Sequence, residues 1–189
     1  MITATRVRAV KAYSDLIATW VTILGAFVGG IWALGEYRDK VRDDEVAATL
    51  RYQQQYNTTP MWEIRGRLET FWESRSKDIF DATAKGENVI SDYVVKTLGA
   101  DKTALADTGA TIDFFAGLGT CLCAGLCNPQ SAIQLFGKDA DDFYELNYPY
   151  IQAQRKNLRD QNYAAGLTII ATAYRSGQSA IEKTSCPIH

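Results

Sequence analysis

The sequence predicts an all-α protein with one N-terminal transmembrane helix continuing into a stalk, then a compact helical domain. Three observations lead there. Leu16 to Leu34 is an uncharged run of 19 residues, long enough at the helical rise to cross about 28 Å of hydrocarbon. Beyond it, apolar residues recur at helical spacing in segments bounded by Asn, Pro and Gly. No stretch alternates apolar and polar residues as a half-buried strand does.

The apolar run is bounded by Asp15 on one side and by Glu36, Arg38, Asp39, Lys40 and Arg42 on the other, with Trp20, Trp32 and Tyr37 placed for the interfaces. A cleaved signal peptide is the competing reading, because Ala33-Leu34-Gly35 has a small-x-small pattern. Its apolar core would be longer than the usual stretch of roughly 7–15 residues. Ala18, Thr22, Gly25, Gly29 and Ala33 recur at steps of three or four, a small-residue face on which another membrane helix can pack closely. Arg6, Arg8 and Lys11 nearly balance Arg38, Lys40, Arg42 and Arg51, so the positive-inside rule does not set the orientation. A cytoplasmic domain is expected instead from the clustered cysteines, read as reduced buried thiols.

The sequence divides into an N-terminal tail (1–15), a transmembrane helix (16–34), a stalk helix (35–58), a soluble helical domain (59–175) and a C-terminal tail (176–189). Gly35 to Tyr56 lacks proline and is rich in helix formers; Asn57-Thr58-Thr59-Pro60 stops it. Thr59 and Pro60 suit the N-cap and first turn of a helix reaching Ala82, with Met61, Ile64, Leu68 and Phe71 or Trp72 on its apolar face. Glu87 to Leu98 reads as a short helix ended by Gly99. Asp101 to Cys127 holds 14 uncharged residues from Phe114, too few for a bilayer and suited to a buried central helix. Its Gly117, Gly119 and Gly125 allow close helix packing at the expense of helix propensity. After Asn128-Pro129, Ser131 to Phe136 forms a turn or short helix, and Ala140 to Arg175 supplies one or two more around Pro149. The tail is weakly structured unless something binds it. Trp62, Phe71, Trp72, Phe80, Tyr93, Phe114, Phe115, Phe136, Phe143, Tyr144, Tyr148 and Tyr150 are expected in the core.

The chain has 189 residues, 47% of them hydrophobic, enough for one domain with its own core. Lys+Arg 20 against Asp+Glu 22 gives a net charge of −2, which offers no general attraction to nucleic acid. Metal binding is a weak candidate at Cys121, Cys123 and Cys127 with Cys186 and His189 from the tail. Cys121 and Cys123 point about 200° apart on a regular helix, so three ligands from one helix are not expected. Asp141 and Glu145 share a helical face, read as solvated. His189 is the only histidine, and no phosphate-cradling glycine motif opens a helix after a strand. No catalytic residue and no cofactor is expected. Arg155, Lys156 and Arg159 form a possible docking or anion-binding surface, with Tyr163 nearby.

Ile112-Asp113-Phe114-Phe115-Ala116-Gly117-Leu118-Gly119, then Gly125-Leu126 and an acidic helix to Tyr150-Ile151 and Arg155, resembles a bacterial family of uncharacterised single-pass membrane-anchored helical proteins. The resemblance implies an inner-membrane anchor, a stalk and a helical cytoplasmic domain, and carries no functional residue. The function expected is a non-catalytic accessory or scaffolding subunit of a bacterial inner-membrane complex. Its partners would be other integral membrane subunits or a second copy, with the lipid bilayer and without nucleic acid. The alternative is a self-associating sensor whose domain binds a small anionic ligand.

Overall fold

The computed structural model describes residues 30, 32–178 and 186. The small-residue positions Ala18, Thr22, Gly25 and Gly29, most of the expected membrane span and His189 lie outside the described residues. Ala33 lies within them and is exposed on a helix. Among the described residues no helix is long and apolar enough to cross a membrane, and all regular structure is helical.

Seven helices are described: α1 (32–56), α2 (Met61–Glu73), α3 (Ser76–Ala84), α4 (Glu87–Ala100), α5 (Lys102–Cys123), α6 (Pro129–Leu158) and α7 (Ala165–Arg175). The compact helical unit begins at Asp44, so residues 44–56, read as stalk, belong to the folded domain. In the preceding unit, residues 32–43 are helical and exposed. Thr49 shows why the later residues fold in. It is fully buried; its hydroxyl donates to the Glu45 carbonyl and accepts from the Asn128 N–H at 2.9 Å. Tyr52 donates to the Gly117 carbonyl at 3.1 Å, and the Tyr56 ring packs on Phe114, Phe115 and Phe136.

α5 is the central helix, as its apolar run predicts. Asp101 caps it by accepting from the Thr103 and Ala104 N–H groups. Phe115, Leu118 and Phe136 fill the core with Leu98, Ile151, Leu167 and Ile170. α7 crosses α5 where both backbones are bare. A Cβ on Gly119 would stand 2.3 Å from Gly166 Cα, and one on Gly166 would stand 2.3 Å from the Phe115 carbonyl oxygen. Gly137 of α6 makes similar room for Tyr174 of α7.

Several boundaries differ from the sequence reading. The segment expected as one helix to Ala82 breaks at Ser74-Arg75 into α2 and α3. Thr59 is not an N-cap: the peptide before Pro60 is cis, and the start of α2 has no side-chain cap. The segments expected on either side of Gly137 form one helix of 30 residues that runs through Pro149. Asn128 starts it by accepting from the Ser131 N–H. Burial of Ala132, Phe136 and Ala140 before the proline and Tyr150 and Ile151 after it outweighs the hydrogen bond that the proline removes. Trp62, Phe80 and Tyr148, expected in the core, are exposed.

The cysteine reading is also corrected. α5 ends at Cys123, and the turn through Gly125, at φ 68°, carries Cys127 back beside the helix. Leu126 and Cys127 both donate to the Cys121 carbonyl, and Cys121 bonds to Cys127 across a Cα–Cα distance of 5.3 Å. Cys123 bonds to Cys186, which ties the C-terminal tail to α5 at that point. The cysteines are two disulfides rather than reduced thiols, and Cys123, Cys127 and Cys186 have no thiolates to offer a metal.

Candidate functional site

Two arginines two residues apart, and so on opposite sides of α2, hold it between two neighbours. Arg67 forms a two-pronged pair with Asp107 of α5, Nε to Oδ2 at 2.8 Å and Nη2 to Oδ1 at 2.7 Å. The Asp107 side chain is largely buried, so this pairing removes the cost of an isolated charge there. Arg65 reaches the other way to Asp139 of α6, at 3.0 Å, while its guanidinium lies 3.9 Å over the Tyr56 ring.

Between α2 and α6 a cleft of about 510 Å³ remains open. Trp62, Trp72, Tyr56 and Phe143 supply aromatic surface; Glu69, Glu73, Asp139 and Asp142 supply carboxylates. Thr111 and Asn147 also line it. The volume falls within the range typical of small-molecule sites. Burial, reinforced by the Asp139 carboxylate and opposed by Arg65, pushes the Tyr56 phenol above its ordinary range.

Two lining residues carry polar atoms that the fold does not pair. Trp72 Nε1 and Asn147 Oδ1 are buried and have no hydrogen-bond partner among the described residues. The Asn147 amide nitrogen donates to the Phe143 carbonyl at 2.9 Å, which leaves its oxygen over. Buried polar groups are nearly always paired, because an unpaired one costs about 1–3 kcal/mol. One is a donor and the other an acceptor, and both residues line this one cleft.

The basic cluster expected near the end of α6 is arranged differently. Arg155 turns inward: its Nε donates to the Tyr163 carbonyl and its Nη2 to Thr168 Oγ1, both at 3.0 Å. It braces the turn between α6 and α7. Lys156 and Arg159 are exposed, and Arg159 ends α6 in the left-handed conformation at φ 55°. The acidic pair Asp141 and Glu145 meets Arg175 of α7. Among the described residues no group of three or more His, Cys, Asp or Glu is placed to hold a metal.

Sequence reasoning missed the cleft because its parts are spread over Tyr56, α2, α5 and α6. Trp72 is in the core as its aromatic character implies, Trp62 reads as core but is exposed, and Asn147 carries no signal of its own. A polar residue at an inward position of the α6 pattern was the available clue. No family model, curated protein or solved structure matches the chain.

Proposed function

We propose that this chain is a membrane-anchored, non-catalytic accessory subunit of a bacterial inner-membrane assembly, with the α2–α6 cleft as its recognition surface. The cleft carries the reading. An indole N–H and a carboxamide oxygen are groups for recognition: neither is a nucleophile or a proton donor near neutral pH. Residues 16–34 supply the anchor, and Ala18, Thr22, Gly25, Gly29 and Ala33 supply the face that packs on a partner helix.

The two disulfides favour placing the domain on the oxidising side of that membrane, with the N-terminal tail in the cytoplasm, because such bonds rarely persist where thiols are kept reduced. This reverses the orientation expected from reduced cysteines. Thiol labelling of intact cells checks it: all four cysteines are expected to resist alkylation until a reductant is added, whereas reactive thiols without reductant refute it.

Purification in mild detergent at native expression, with native mass measurement, tests the subunit reading. A fixed ratio to other membrane chains, lost on Gly25→Leu or Gly29→Leu, is expected. A pure homo-oligomer would overturn it. The self-associating sensor is the second reading, favoured by the unpaired atoms in the cleft, which suit a ligand.

A further inference from the structure

We propose that the α2–α6 cleft binds a small organic amine in its ammonium form, carrying a hydroxyl or carbonyl oxygen and an apolar stem. This rests on the cleft being a recognition surface, and it names the chemistry recognised.

Charge comes first. Of the carboxylates that line the cleft, Asp139 is paired with Arg65 and Asp142 with Lys138. Glu69 and Glu73 have no cationic partner within ion-pair distance among the described residues. They lie one turn apart on α2, exposed, and like charges at that spacing repel. An ammonium group between them relieves the repulsion, and an anion adds to it.

The aromatic surface agrees. Trp62, 64% exposed, offers an indole face, the best aromatic partner for a cation, while Trp72 is buried in the core behind it. The Tyr56 face is already taken by Arg65. The remaining requirement comes from the unpaired atoms. Trp72 Nε1 needs an acceptor and Asn147 Oδ1 needs a donor. A hydroxyl carries a donor and an acceptor on one atom, and a carbonyl with an N–H carries one of each. Both atoms lie beneath the cleft surface, so contact needs the side-chain adjustment that is common on binding.

The test uses the full chain in detergent and follows its tryptophan indole N–H signals by nitrogen–proton correlation spectroscopy, assigned with Trp62→Phe and Trp72→Phe. The probe is phenylethanolamine; phenyl ethanediol replaces its amine with a neutral hydroxyl, and mandelate replaces it with an anion. Saturable shifts at Trp62 and Trp72 are expected with phenylethanolamine, about tenfold weaker with the diol, and none that saturate with mandelate. Glu69→Gln with Glu73→Gln should bring the amine to the level of the diol, with the melting temperature unchanged because both side chains are exposed. Equal binding of amine and diol, or an unchanged affinity in the double variant, overturns the preference for a cation while leaving the cleft as a binding surface. No saturation by any probe overturns the amine proposal, while the co-purification experiment still decides the subunit reading on its own.

Discussion

The α5–α7 crossing and the α2–α6 cleft treat the same problem, two helices side by side, in opposite ways. At the crossing, glycine removes every side chain between the backbones, so that Gly119 and Gly166 touch directly. At the cleft, long charged and aromatic side chains hold the helices apart, and Arg65 with Asp139 spans the gap. The first arrangement sets backbone against backbone, and the cleft of about 500 Å³ beside it, lined by Gly119, Gly166 and Ile169, holds none of the unpaired buried side-chain atoms among the described residues. The second leaves a buried donor and acceptor unpaired. One seam is thus closed by backbone contact, and the other keeps unmet hydrogen bonds.

Substitutions that break this contrast should differ greatly in effect. Gly166→Ala puts a methyl group against the backbone of Phe115 and Ala116, where no flexible side chain can yield. It should cost more than about 3 kcal/mol in denaturant unfolding, or prevent folding. Cys123→Ser with Cys186→Ser opens a link between positions 63 apart and should cost about 2–3 kcal/mol, read as a lower melting midpoint without change in helix content.

The cleft should respond to alkali. The Tyr56 phenol keeps its proton in the folded state above the pH at which the unfolded chain releases it. That stability is fully present below pH ~10 and is lost as pH rises through the raised value, by about 1 kcal/mol per pH unit. A melting series in alkali, with tyrosinate absorbance, checks it: absorbance from Tyr56 should appear only as the fold opens.

Asn147→Leu sharpens the comparison by its sign. Replacing a buried amide whose oxygen is unpaired with an apolar side chain of similar size should stabilise the domain by about 1 kcal/mol and weaken any ligand of the cleft. A loss of stability would mean that the amide serves the fold and not recognition. The smallest effect belongs to Lys138→Ala, which removes an exposed ion pair on one helix and should leave the melting temperature unchanged.

Much of the fold was legible because its signals are local. Asp101 and Asn128 announce helix starts through the oxygens that cap them. The uncharged run from Phe114 marks the central helix, and Asn57 to Pro60 marks a stop. The break at Ser74-Arg75 and the missing Thr59 cap are local departures, whereas the larger errors depended on residues far apart in sequence. Pro149 reads as a break until burial on both sides of it is known. Residues 44–56 read as stalk because Thr49, Tyr52 and Tyr56 find their partners in α5, in α6 and at Asn128.

The sequence by itself determined the all-helical class, the central position of α5 and, in Gly119, one of the two glycines of the close crossing, because propensity, capping and periodicity act within a few residues. Only tertiary structure decided that the cysteines pair, that Arg155 braces a turn, and that Trp72 and Asn147 share one cleft. Each of those facts is a distance between residues on different elements, and spacing along one helix carries no information about it.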